Sequence, residues 1–263
     1  MDISNNAMIV NLQIATWSAH KLDKGMSSKV TFDAGAAVDS ARVNKHLVHK
    51  DTLKEIVTAA GAMRTHLYDK TLPWGDNGDR LLPRLAFTDF VEAHSHLMRQ
   101  FEGAVETFIT VKYPAARDQA TARMGEMFKA SDYPYPEEIR NRFSVNLDIH
   151  GVPTSQDFRV TMNEADMAMI RSQLDTKNQE RLTCAVRDVW ARLATVVGHF
   201  ADKMGTDSVF RDSTVRNLEE LVDALPAMNI TGDPDLERIG QDIKDTLVGI
   251  TPKDLREVSV VIT

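Results

Sequence analysis

Eight histidines and one cysteine are the side chains of this 263-residue chain best suited to hold a metal or to attack an electrophile, and their spacing decides between those uses. His46 and His49 lie three residues apart, and Glu92 and His96 lie four apart on one predicted helix face. Structural and catalytic zinc sites use three or four protein ligands, and neither pair has a third at a diagnostic spacing. The HExxH pattern is absent, and His94 falls on the apolar register of its own helix, where a packing histidine is expected. The expectation is therefore no metal and no cofactor. Cys184 alone excludes an intramolecular disulfide and fits a reducing compartment. Its neighbours Leu182, Val186 and Val189 make it read as a buried, inert thiol, because a reactive one needs an electropositive, accessible setting.

The segment TLPWGDNGDRLLP, residues 71–83, is the second place to look. Two glycines and three aspartate or asparagine side chains resemble a cation loop, but the bidentate glutamate of an EF-hand is missing. The alternative is an ordered turn whose aspartates bond nearby amides, with Trp74, Asp79 and Arg80 anchoring the following helix. Turn-rich segments on rigid supports commonly carry binding, so Trp74, Asp76, Asp79 and Arg80 form the candidate interaction loop. No phosphate-binding GxxxxGK[ST], dinucleotide GxGxxG or nucleophile-elbow GxSxG occurs, and no carboxylate pair can be given opposed acid and base roles. The chain reads as a non-enzyme without catalytic residues.

Charge narrows the partners. A formal net charge of −7 gives no global attraction for nucleic-acid phosphates. The arginine-rich helices around Arg117–Lys129 and Arg181–Arg192 interleave their bases with acids, as solvated helix faces do. Nucleic-acid binding is thus disfavoured. No apolar run reaches the roughly 18 residues of a membrane span, and the N-terminus lacks a signal-peptide pattern, so a cytoplasmic chain with no membrane partner is expected.

The elements that must position these residues follow from periodicity. Met8, Val10, Leu12 and Ile14 alternate as in a half-buried strand, and Phe143, Val145, Leu147 and Ile149 do so more strictly. Gly151 and Pro153 then make a turn, and 158–162 return as a hairpin partner, with the first strand as third member of the sheet. Residues 21–29 read as a turn, 32–45 as an Ala-rich helix and 50–70 as another. Phe87, Phe90, His94, Leu97, Phe101, Ala104, Phe108 and Val111 recur at three and four, a heptad seam that Pro114 is expected to end before a further helix at 115–130. Asn163 is a plausible N-cap for a helix reaching about Lys203, whose second half repeats the seam at Leu182, Val186, Val189, Leu193, Val196 and Phe200. Two shorter helices follow, near 215–225 and 234–248, then an apolar tail at Val258, Val260 and Val261. The predicted fold is α+β and mainly helical: the two seams pack as an antiparallel helical hairpin beside a small antiparallel sheet of about three strands. The same seams would also close between subunits. One body over 1–263 is expected, with 205–263 as a C-terminal helical appendage.

THLYDKTLPWGDNGDRLLP, the block DYPYPEEIRNRFSVNLDI and the later FRV at Phe158–Val160 resemble a protein family of tailed phages and prophages, over roughly Leu12 to Lys203. The resemblance implies a protein made inside an infected bacterium and brings no catalytic residues with it. Together with the two seams and the absence of motifs, it gives the leading expectation: a non-catalytic assembly or protein-binding role, homo-oligomeric or with a phage or host protein as partner. A single-stranded-DNA-binding accessory of phage DNA metabolism and an inhibitor of host defence are the alternatives. The first would need exposed aromatics in a basic groove, supplied by Trp17, Trp74 or Trp190.

Overall fold

A computed structural model describes residues 3–154, 163–204 and 212–247. The protein is α+β and mainly helical with small antiparallel sheets, as its periodicities predict. It divides into two compact units, neither continuous in sequence: the first gathers Met1–Leu12, Leu67–Val91 and Leu147–Thr263, the second Gln13–His66 and Glu92–Asn146.

The first unit is built on a four-stranded sheet. Strand β1 is Ala7–Ala15; β2 (His20–Leu22) and β3 (Asn44–His46) belong to the second unit; β4 (Leu72–Pro73), β5 (Arg80–Pro83) and β6 (Ser144–Gly151) complete the set, in the order β4-β5-β1-β6. Strand β1 pairs antiparallel with β5 from Ala7↔Pro83 to Val10↔Arg80. The sequence predicts one buried face for β1, but apolar clusters cover both. Ala7, Ile9 and Leu81 enter the larger cluster, whereas Val10 and Leu82 enter a smaller one with Leu67 and Phe90. Alternation fades where both faces are dry, which is why Met8 and Ile9 stand together at this strand's start.

The larger cluster is closed by three helices, α7 (Glu164–Met204), α8 (Asp212–Met228) and α9 (Pro234–Leu247). Asn163 caps α7 as expected, its Oδ1 accepting from the Asp166 amide at 2.8 Å. The predicted hairpin partner of α7 was the seam of α3 (Phe87–Thr107); instead α8 folds back along it, with Leu218, Val222 and Leu225 joining Ala185, Val189 and Leu193. A heptad pattern states that a face is covered and does not name the cover. Helix α8 also runs through Pro226 to Met228 rather than closing before it. The expected return strand at 158–162 and the tail valines lie outside the described residues, and β6 pairs with β1.

In the second unit the helix expected at 32–45 and the turn at 21–29 exchange places. Helix α1 is Lys24–Asp33. Asp23 caps it through Oδ1, which accepts from the Met26 amide at 3.1 Å. Two reversed hydrogen bonds, Ala36 N–H to Thr31 O and Gly35 N–H to Phe32 O, end it in a Schellman turn that needs the positive φ of Gly35, +62°. Capping chemistry outweighs the alanines beyond it. Helix α2 (Lys54–Lys70) buries Ile56, Ala60 and Met63. Pro114 does not end the long helix either. A π-helical turn, Phe108–Lys112, joins α3 to α4 (Tyr113–Asp118), and the Tyr113 amide donates to Phe108 O. The wider turn moves the preceding carbonyls out of the path of the proline ring. Helices α5 (Ala120–Met124) and α6 (Pro136–Arg140) follow, the former stopped by Gly125 at φ +52°.

Candidate functional site

The candidate loop is the turn of the β4–β5 hairpin, with Trp74 buried, Asp79 and Arg80 half-buried and the tip at 76–78 exposed. Gly78 takes φ +89°, and Gly75 comes so close to Asn77 that a Cβ there would stand 2.9 Å from Asn77 Oδ1. Asn11 Nδ2 donates to Asp79 Oδ1 at 2.9 Å, tying the turn to β1. Trp74 is 4% exposed and belongs to the larger cluster, with the Arg181 guanidinium 5.7 Å from its ring centre. Arg80 donates from Nε to Thr71 Oγ1 at 2.6 Å and from Nη2 to Thr71 O at 2.9 Å, and its guanidinium covers the Tyr68 ring. Arg192 donates to the same carbonyl at 2.9 Å and pairs with Asp188. Both cations thus meet the carbonyl end of α2, where the helix dipole is negative. Burial, and then the neighbouring Arg192 charge, push the Arg80 pKa below its ordinary value. Of the four loop residues only Asp76 is fully open to solvent. The hairpin serves as a helix cap.

Most of the α3 seam is covered within the chain. Phe90 is 1% exposed beside Leu82 and Val10, with Phe87 packed on the same cluster. His94 and Phe101 are buried, Leu97 half-buried, and Phe108 stacks among Trp17, Tyr113 and Phe143. Val111 is exposed. Burial lowers the His94 pKa, with the nearby His66 adding to the shift, so the ring is held neutral.

Helix α7 behaves differently along its length. Val189 and Leu193 are buried, and Leu182, Val196 and Phe200 pack against the same cluster, with Val186 half-buried. Cys184, expected to be buried, is exposed: it sits one residue off the face that carries Ala185 and Val189, a turn of about 100°. Val152 enters the core and Pro153 O accepts from Asn178 Nδ2 at 2.9 Å, fastening the residues after β6 to this helix. Towards its start, Met167, Ile170 and Leu174 continue the stripe of Asn178, Ala185 and Val189, yet none is buried among the described residues. At 1.5 Å per residue, 164–177 extends about 21 Å. A separate open groove of about 390 Å³ runs beside Trp190, lined by Leu182, Val186, Arg187 and Thr231 among others. It holds no nucleophile and base in partnership.

The residues that sequence reasoning missed lie in the second unit. Lys45, on β3, has a side chain 3% exposed, and its ammonium is matched by three acceptors: Asp23 Oδ2 at 3.2 Å, Asp132 Oδ2, and Met127 O at 3.0 Å. Lys21, directly opposite Lys45 on β2, reaches Asp132 Oδ1 at 2.9 Å, so Asp132 bridges two like charges that would otherwise repel across the ribbon. Desolvation opposes the charge on Lys45, but hydrogen bonds to Asp132 and Asp23 outweigh it and raise the pKa. The Met26 amide and then Lys45 lower the Asp23 pKa; Asp132 is lowered by its two lysines against its own desolvation. A catalytic lysine must give up its proton near neutral pH, and this one is held as ammonium. The network is a clamp. Asp132 opens the DYPYP block, Tyr133 donates to Leu47 O at 3.1 Å, and Tyr113, its phenol pushed up to about 12 by burial, donates to Pro134 O at 2.7 Å. The only advance signal was that polar and aromatic density in DYPYP.

Among the described residues no group of three metal-ligating side chains converges, and no helix is long and apolar enough to cross a membrane. The chain matches no family model, no curated protein and no solved structure.

Proposed function

We propose that this protein is a non-catalytic assembly protein, of phage or prophage origin, that pairs with a second copy through the first half of α7. The observation that carries the reading is the half-buried apolar stripe Met167, Ile170 and Leu174, in phase with the buried stripe of the same helix. Apolar side chains in a continuous row beyond the end of their own core call for a partner.

Charge favours a second copy running antiparallel. In such a pair, residues on one flank of the stripe meet the same flank of the other helix. Asp166 and Lys177 share a flank and lie six residues before and five after the midpoint of Ile170 and Leu174. An antiparallel two-fold centred near Ser172 therefore stacks Ile170 on Leu174 and sets Asp166 against Lys177 twice. Four helical turns form a small contact, below about 1,200 Å², so the association is weak and reversible. The DNA-binding alternative gains no support: Trp17 and Trp74 are buried, and Trp190 Nε1 donates to Asp233 at 3.3 Å. Sedimentation at rising concentration is the test. Dimers should form by about 100 µM, the range of weak interfaces. Ile170→Glu with Leu174→Glu should leave monomers of unchanged circular dichroism, and Asp166→Lys should weaken pairing until Lys177→Asp restores it. A monomer at every concentration would end the proposal.

A further inference from the structure

The histidine spacing that stands out in sequence, His46 with His49, is not the pairing the fold makes. His49 Nδ1 accepts from the Asp51 amide at 3.3 Å, while His96 bonds to Gln100 on its own helix. His46 faces His20. The two are direct partners in the β2–β3 ribbon, with ring centres 4.1 Å apart at 73°. We propose that His20 and His46 form a two-imidazole site for a late first-row divalent cation of the zinc or nickel class.

Three features of the ribbon support this. The first is register. Leu47 N–H donates to Ala19 O at 2.8 Å and Asp23 N–H to Val43 O at 2.9 Å, which makes 19/47 and 23/43 hydrogen-bonded positions. Alternation then puts His20 and His46 at a non-hydrogen-bonded position, where facing side chains stand closest. The second is anchoring. Arg123 donates to His46 O at 2.9 Å and to Leu47 O at 3.0 Å, so the strand behind the ring is held and little ordering is left for the metal to impose. The third is charge. The opposite face carries Lys21 and Lys45, but Asp23 and Asp132 compensate both, so these lysines set no net positive charge behind the histidine face, and Arg123 is turned to the backbone carbonyls.

Imidazole nitrogen suits these ions. With metal–nitrogen bonds of about 2.0–2.1 Å, two rings at a tetrahedral angle have centres roughly 5 Å apart. The rings must open by about 1 Å from where they stand, a small side-chain adjustment at two exposed residues. Two protein ligands leave coordination positions for water, so the site is an open one, with the ion clipping β2 to β3.

The test is titration of the full chain with zinc chloride alone, followed by calorimetry and by the histidine ring resonances in NMR. One ion per chain should bind, with the His20 and His46 rings shifting at a common midpoint. Because the second imidazole binds at high effective concentration, His20→Gln and His46→Gln should each weaken binding by at least about tenfold, and His49→Gln should not. These are surface changes, and near-ultraviolet dichroism checks that the fold is kept. Wild-type affinity in either His20→Gln or His46→Gln, or the absence of zinc binding by the intact chain, overturns the site.

Discussion

The two units solve the problem of a stable interior with different chemistry. In the first, a thin sheet is dry on both faces, and among its described residues the only buried polar side chains are Thr71 and Thr214. In the second, a lysine and two aspartates are buried together beside an aromatic cluster of Trp17, Phe108 and Tyr113. Apolar burial is non-directional and tolerates repacking, whereas a buried ion network demands one arrangement and penalises the loss of any member. The second unit should therefore be the more specific and the more brittle.

Removing the central charge gives the largest effect. Lys45→Met leaves Asp23 without its cation and Asp132 with Lys21 alone, and by comparison with other broken buried pairs should cost about 3–5 kcal/mol in denaturant unfolding, with faster amide exchange confined to α1, β2 and β3. Leu193→Ala in the first unit opens a cavity instead, at about 2–4 kcal/mol, with faster exchange in α7 and α8. Equal exchange changes in both units from either substitution would erase the distinction. The smallest effect is graded by pH. Asp23 and Asp132 have folded pKa values below their ordinary 3.8, so their contribution is complete above that value and is lost as pH falls through the lowered ones. Lys45 is raised above 10.5, so its share is complete below that value and fades as pH rises through the folded one. Exchange measured as pH falls below about 4 should show α1 and the β2–β3 ribbon opening before α8, since only groups whose pKa changes on folding make stability depend on pH.

That asymmetry also governs what could be read in advance. The strands β1 and β6, the extent of α7 and the burial of Phe90, Phe108, Val189 and Leu193 follow from periodicity, because each reflects a local repeat meeting a dry surface. The partner of each seam was illegible, since any apolar face satisfies the same pattern. The hairpin at 72–83 is hidden behind its glycines, and Trp74 and Arg80, candidates for an interaction loop, are held by core packing and by Thr71. Lys45, Asp23 and Asp132 were further from reach. They are 22 and 87 positions apart in sequence from Lys45, and nothing local marks one lysine among many as buried. His20 and His46 share that difficulty: their pairing is a matter of strand register.

The π-helical turn at Phe108–Lys112 has a consequence for how this chain tolerates change in length. Such a turn holds one residue more than the α-helix around it, so it is the place where a single codon has in effect been added. Deleting one residue there would restore an unbroken helix and rotate everything after it by about 100° relative to α3. Tyr113 would leave Trp17 and Phe108, and its bond to Pro134 would go with it. Pro114 would at the same time strike the carbonyl that the wide turn now carries aside. The reading frame of the second unit is thus pinned at one spot, and insertions or deletions should accumulate elsewhere, in exposed stretches such as Ala36–Ser40.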